Sequence, residues 1–96
     1  GIKFDSKKEA RFYKDLKLQM AAGEIKEFEL QPKFILLEKD KDRLTGRGIK
    51  YIADFKITYS DGSVEVVDVK GYKTQVYKLK KKLLLAKYPD INFREV

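Results

Sequence analysis

The sequence contains no cysteine and no histidine. Disulfide bonds, zinc fingers and catalysis by a cysteine or histidine nucleophile are therefore excluded. Any metal ion would have to be bound through oxygen atoms, which favours Mg²⁺, Mn²⁺ or Ca²⁺. No signal peptide is visible in these residues, and no apolar run approaches the length of about 18 residues that a membrane helix needs. These absences predict a soluble protein that stays out of membranes and resides in the cytoplasm.

Basic residues outnumber acidic residues. The 96 residues include 22 Lys or Arg and 15 Asp or Glu, which gives a formal net charge of +7. A chain of this length has room for one modest core, so residues 1–96 are expected to form a single domain. The positive charge favours a polyanionic partner, either a nucleic acid or an acidic protein surface.

Residues 51–71 contain two β-rich runs on either side of a turn sequence at residues 60–62, and this pattern predicts a β-hairpin. Because side chains alternate between the two faces of a strand, the register decides which residues meet. A three-residue loop with Gly62 in the left-handed conformation would place Asp54 opposite Asp68. A two-residue turn would shift the register by one and place Asp54 on the other face. We favour the three-residue loop.

The favoured register gathers charged residues on one face of the hairpin. Lys70 follows Asp68 by two positions, so the two share a face with Asp54. Two facing carboxylates repel each other, and a divalent cation removes this repulsion because Mg²⁺ takes carboxylate oxygens as ligands. The sequence therefore predicts a Mg²⁺ site here, with Mn²⁺ as a substitute.

These residues also carry a family resemblance. Asp54, followed fourteen residues later by Asp68-Val69-Lys70, resembles the signature of the PD-(D/E)XK nucleases. Ala53 stands where that signature has proline, and Asp68 takes a position more often filled by Glu. The segments GIKFDSKKEARFY, AGEI, LQPKF, YIADF and DVKGYKTQVYKLK resemble a small phage and prophage family of uncharacterised proteins assigned to this superfamily. Similarity extends to transposon-end nucleases and junction-resolving endonucleases.

The resemblance implies roles for individual residues. Glu9, Asp54 and Asp68 would be metal ligands, and the Val69 carbonyl would complete the coordination shell. Lys70 would be the catalytic lysine. The implied fold is a restriction-endonuclease-like α/β domain, in which helices flank a mixed central sheet.

The elements expected along the chain agree with this fold class. A helix is predicted over residues 7–22, with Ser6 as N-cap and Gly23 as the terminating residue. Its apolar stripe is Tyr13, Leu16 and Met20, with Phe12 beside it and Glu9 at its top. Glu9 is interpreted in two ways that can both hold: as part of a capping box with Ser6, and as the third acidic ligand.

Further along, a strand over residues 24–37 is predicted to bend at Gln31-Pro32. Residues 38–48 form a polar loop, either a solvated connector or a mobile basic flap in which Arg47 meets phosphates. A second helix spans residues 74–87, and a last strand spans residues 91–96. The expected order is αβββαβ.

The second helix is predicted to bury one face and to expose lysines. Its expected buried stripe consists of Val76, Leu79, Leu83 and Ala86, widened by Tyr77, Leu84 and Tyr88. Four lysines on or beside this helix are expected to contact nucleic-acid phosphates: Lys73, Lys78, Lys81 and Lys82.

Together these features predict a Mg²⁺-dependent DNA endonuclease that is directed by the structure of branched or junction DNA and acts as a homodimer. One alternative is a non-catalytic nucleic-acid-binding protein on a nuclease-like scaffold. Another is a phage assembly or host-takeover protein that binds an acidic partner.

Overall fold

The computed structural model describes residues 3–4, 6–69 and 73–96, which form an α/β fold. Lys70 lies outside the described residues. In chain order the elements are α1 (Lys7–Ala21), β1 (Ile25–Leu30), β2 (Lys33–Leu37), β3 (Ile49–Ile52), β4 (Phe55–Tyr59), β5 (Val64–Asp68), α2 (Gln75–Lys87) and β6 (Phe93–Glu95).

The described strands form two sheets. A four-stranded sheet has the order β1-β4-β5-β6, and β2 pairs with β3 in a separate two-stranded sheet. Within the larger sheet β5 and β6 are parallel and the other pairs are antiparallel, which confirms the predicted α/β class with a mixed sheet.

Two of the predicted strands are each divided between the sheets. The first breaks at Gln31, where φ is 52°, and Pro32, as the sequence predicts. The second was expected to run unbroken from residue 51 to 59, but it breaks at Ala53 and Asp54 between β3 and β4. The prediction of one continuous strand is wrong because the chain passes there from the small sheet into the large one.

Helix α1 begins and ends where its capping residues predict. The Ser6 hydroxyl accepts a hydrogen bond from the Glu9 N–H at 3.1 Å. At the other end Gly23 adopts a φ of 81° and donates its N–H to the Met20 carbonyl, while Glu24 donates to the Gln19 carbonyl. This pair of hydrogen bonds is a Schellman motif, which needs a left-handed residue after the helix.

The large sheet separates two apolar clusters. On the α1 side the buried members are Leu16, Ile25, Phe55, Ile57, Val67 and Val69. On the α2 side they are Tyr51, Ala53, Val66 and Leu84. Because Val66 and Val67 are neighbours on β5, their assignment to different clusters follows from the alternation of side chains along a strand.

Helix α2 buries a different face from the one its sequence predicts. Val76 is 62% exposed and Leu79 is 58% exposed, whereas Leu84 is fully buried. Tyr77 and Tyr88 pack beside Leu84 against the second cluster. The predicted stripe is wrong. Aromatic side chains bury more area than Val or Ala, so α2 packs against the sheet through the face that carries the two tyrosines. On α1, Met20 is likewise 41% exposed instead of buried, while Leu16 is buried as expected.

The loop between β2 and β3 is organised by one side chain. Asp42 accepts hydrogen bonds from the N–H groups of Leu44, Thr45 and Gly48 and from the Thr45 hydroxyl. These bonds, chiefly the one from the Thr45 hydroxyl, lower the pKa of Asp42. The loop is therefore a closed, hydrogen-bonded turn.

Within the described residues, neither helix is long and apolar enough to cross a membrane.

The Asp42 turn generates a prediction about two glycines with the same backbone conformation. A Cβ atom on Gly48 would meet the Leu37 carbonyl oxygen at 2.4 Å, whereas one on Gly46 would meet no atom within 4 Å. Both residues have positive φ, so Gly46→Ala should cost about 1–2 kcal/mol in free energy of unfolding. Gly48→Ala should cost at least about 1 kcal/mol more, because backbone atoms must also move. Urea unfolding of the two variants measures the difference, and equal losses would contradict the clash.

Candidate metal centre

The hairpin of β4 and β5 is closed by a three-residue loop. The Tyr59 N–H donates to the Ser63 carbonyl at 2.8 Å, and Gly62 has a φ of 91°. Asp61 accepts hydrogen bonds from the hydroxyl and the N–H of Ser63, which lower its pKa. The pairing of Phe55 with Val67 continues the same register. The favoured closure is thus confirmed, and the two-residue alternative is wrong.

This register brings Asp54 and Asp68 together. The Asp54 N–H donates to Asp68 Oδ1 at 3.2 Å, and the Val69 N–H donates to Asp54 Oδ2 at 2.7 Å. Asp68, the last residue of β5, is fully buried, while Asp54 is partly buried just before β4. Each carboxylate is therefore held by a backbone N–H of the opposite strand, and the two negative groups cannot rotate apart without breaking these bonds.

Helix α2 and strand β6 add further groups to this face. Glu95 is the β6 residue paired with Asp68 in the parallel ladder. Tyr77 of α2 lies close enough that burial, followed by the negative charges of Asp68, Glu95 and Asp54, raises the pKa of its hydroxyl. Asp68, Glu95 and Asp54 therefore lie near the Tyr77 hydroxyl at this end of the sheet.

Two lysines partly balance this charge through Glu95. Lys73 Nζ lies 2.8 Å from Glu95 Oε2, and Lys81 Nζ forms an ion pair with Oε1. Hydrogen bonds from Lys73 and Lys81 lower the pKa of Glu95. The Lys81 ammonium also lies 5.1 Å from the centroid of the Phe93 ring. Lys81, expected on the solvent side of α2, is therefore directed at the protein.

The other predicted site residues have different positions. Glu9 is buried near the start of α1, a helix that packs on the opposite face of the sheet from α2. Lys78 and Lys82 are exposed on α2, and Arg47 is exposed in the β2–β3 loop. Lys70 follows Val69 outside the described residues, so its catalytic role stays a prediction.

Sequence reasoning missed Tyr77 and Glu95 as members of this centre. The sequence predicts that Tyr77, Leu84 and Tyr88 widen the buried stripe of α2, but it does not predict that Tyr77 lies near Asp68. Glu95 lies two positions after Phe93 and shares its face of the last strand, and this pattern alone does not distinguish a site residue from a surface one.

Two carboxylates and the Val69 carbonyl fit Mg²⁺ better than a cation that needs a full protein cage. Mg²⁺ is usually bound by one or two carboxylates and keeps several waters or substrate phosphate oxygens. Asp54 and Asp68 meet this requirement, since both are oxygen donors fixed by backbone hydrogen bonds. Within residues 3–4, 6–69 and 73–96, no group of three or more Asp or Glu residues could hold a metal ion. Glu9 is thus not brought together with the two aspartates as a third direct ligand.

Comparison with known proteins gives one match. A family model described as "Protein of unknown function (DUF1064)" matches residues 1–96. No curated protein and no solved structure matches the chain.

The Glu95 ion pairs predict a pH-dependent contribution to stability. The folded-state pKa of Glu95 lies below its ordinary value of 4.5, so the contribution is present above that value and is lost as the pH falls through the folded-state pKa. Glu95→Gln should therefore be less stable than the wild type at neutral pH, and the difference should disappear in acid. Urea unfolding across the pH range measures this. Glu29→Gln, on the exposed part of β1, is the matched control and should show no such trend; a constant deficit in Glu95→Gln would contradict the assignment.

Proposed function

We propose that this chain, which belongs to the DUF1064 family, is a Mg²⁺-dependent endonuclease that hydrolyses phosphodiester bonds in DNA. The observation that carries the proposal is the facing pair Asp54 and Asp68, held by hydrogen bonds from the backbone N–H groups of Asp54 and Val69. A fixed pair of carboxylates at one end of a buried sheet is costly to keep as a structural feature alone, because like charges in a low-dielectric site repel.

Asp54 and Asp68 would hold the cation, with the Val69 carbonyl beside them. A bound divalent cation supplies positive charge that stabilises the negative charge developing on a phosphate during hydrolysis. The protein contributes fixed geometry: the two N–H donors prevent the carboxylates from turning away from each other. Burial of Asp68 keeps bulk water away from one side and strengthens electrostatic interactions there.

Lys70 would complete the reaction centre from the residue after Val69. Its ammonium would neutralise charge on the scissile phosphate or orient the attacking water. The chain has no histidine, so an imidazole base is excluded. The resemblance to the PD-(D/E)XK signature in Asp54, Asp68 and Lys70 supports the same assignment.

Affinity for DNA would come from the phosphates. The net charge of +7 and the exposed lysines Lys78 and Lys82 on α2 support contacts to the backbone. Such contacts position a duplex without reading its bases, so selection would rest on the shape of branched or junction DNA. Cutting both strands needs two sites, and a two-fold homodimer is the simplest way to supply them.

A non-catalytic nucleic-acid-binding protein is the second candidate. It is favoured by one observation, namely that the described residues contain no cluster of three acidic ligands. The two candidates differ in their response to Mg²⁺, because only the endonuclease requires a cation at Asp54 and Asp68.

The metal site is tested by thermal unfolding with and without Mg²⁺. At a metal concentration about a hundred times Kd, the cation should stabilise the protein by roughly 2.7 kcal/mol. Asp54→Asn should lose this gain and the cleavage of branched DNA, yet remain at least as stable without metal because a repulsion is removed. Asp15→Asn removes the same charge from an exposed position of α1 and should respond like the wild type. A full metal response in Asp54→Asn would remove Asp54 from the site.

The DNA contacts are tested by the salt dependence of binding. Replacing Lys78 and Lys82 by Ala should flatten the plot of log K against log salt by about 0.9 for each lost phosphate contact. The matched control replaces Lys8 and Lys14, which are exposed on α1. We expect the control to retain the wild-type slope. A wild-type slope in the Lys78 and Lys82 double variant would show that these α2 lysines do not contact the phosphates.

A further inference from the structure

A groove lies between helix α2 and the two-stranded sheet of β2 and β3. Its volume is about 1040 Å³. The described apolar side chains that line it come from all three elements, and none of these is aromatic: Ile35, Leu37, Ile49, Val76, Leu79 and Leu83. The groove is separate from the centre of Asp54 and Asp68, because none of the residues that line the groove belongs to that centre.

The α2 side of this groove is an apolar stripe that the fold leaves uncovered. Val76, Leu79 and Leu83 are 62%, 58% and 42% exposed. A neighbouring face of the same helix packs against the second apolar cluster through Leu84, Tyr77 and Tyr88. A helix with a second apolar stripe at helical spacing is not explained by the folding of this chain alone, and contiguous exposed apolar surface commonly marks a site of interaction.

The rim of the groove is mainly basic. Its positively charged residues come from both walls: Lys33, Lys39, Arg47, Lys50 and Lys80. Among the described residues that line the groove, Glu38 and Asp40 are the acidic ones, and Glu38 lies 3.8 Å from Lys87 in a weak ion pair. The groove therefore offers an aliphatic floor bordered by positive charge.

The walls of the groove are tied together by the fold. The Tyr88 hydroxyl donates to the Ile35 carbonyl at 3.1 Å, which joins α2 to β2. On the loop side, the Arg47 N–H donates to the Thr45 hydroxyl, within the turn that Asp42 organises. A groove that exists before its ligand arrives loses less conformational entropy on binding.

We propose that this groove binds an amphipathic helix of a partner protein, whose apolar side chains fill the aliphatic floor and whose acidic side chains meet the basic rim. Recognition of one helical face by a hydrophobic groove is a common mode of protein interaction. The charge of the rim selects acidic flanks, since opposite charges at the edge of an interface steer association and exclude like-charged partners.

Other occupants fit the groove less well. Single-stranded nucleic acid binds where aromatic side chains stack on its bases, and the described residues that line this floor include none. A second copy in a two-fold dimer would bring this basic rim against itself, because the same patch is used on both subunits. A small ligand is normally buried over most of its surface, whereas the walls here protrude into solvent, with Val76 and Leu79 more than half exposed.

The test uses a fluorescent synthetic helix of about 18 residues, which is five helical turns. Leucines at positions i, i+3, i+4 and i+7 form one face, and glutamates flank it. Fluorescence anisotropy with the full chain should show binding about tenfold tighter than for the same peptide with lysine flanks or with a scrambled order. Leu79→Ser should weaken binding by about tenfold, because a buried leucine contact is lost.

The matched control is Leu18→Ser, which alters a leucine on α1 that is also more than half exposed and should leave binding unchanged. Val76→Ser repeats the test at a second groove position, and circular dichroism checks that each variant folds. Equal binding of the acidic, basic and scrambled peptides, or unaltered binding in both groove variants, would overturn the proposal. Two other effects of Leu79→Ser would also overturn it. A loss of affinity for single-stranded DNA would show that the occupant is DNA, and dissociation of a homodimer in sedimentation would show that it is a second copy. None of these readouts involves Mg²⁺ or cleavage. A negative result here would therefore not count against the endonuclease proposal.

Discussion

The register of the β4–β5 hairpin is the constraint on which the rest of the structure depends. Gly62, with a φ of 91°, allows three residues to close the loop, and this closure sets Asp54 opposite Asp68. A slip by one residue would turn every side chain of one strand to the other face. Val66 and Val67 would then exchange sides, and both apolar clusters would be lost together with the pair of aspartates. The register of this hairpin therefore determines both the packing of the two apolar clusters and the position of the candidate site.

Electrostatics at the end of the sheet explain why this arrangement points to a cation. Lys73 and Lys81 are directed at Glu95, and the backbone N–H groups satisfy one oxygen of each aspartate. Hydrogen bonds from neutral donors reduce the cost of burying a carboxylate but do not cancel its charge. The aspartate pair lies at the same end of the sheet as Glu95 and Tyr77, and a divalent cation is the group that we propose to bind there.

Local signals in the sequence were sufficient for the ends of α1, the break at Pro32, the hairpin closure and the α/β class, because each depends on residues close together in the chain. Two features needed the tertiary structure. Helix α2 carries two apolar stripes, and its sequence alone does not show which of them is buried. Packing against the sheet buries the one that contains Leu84. The place of Tyr77 and Glu95 beside Asp68 depends on the packing of α2 and β6, elements distant in sequence from Asp54.

The most direct test of the central claim is the location of Mn²⁺ in crystals of the protein soaked with this ion, by anomalous diffraction. Mn²⁺ takes the same oxygen ligands as Mg²⁺ and is visible through its anomalous signal. If Asp54 and Asp68 form a metal centre, the strongest anomalous peak should lie between their carboxylates, and it should disappear in Asp54→Asn. A wild-type crystal in which the two carboxylates face each other, as they do here, but in which Mn²⁺ binds only elsewhere would contradict it.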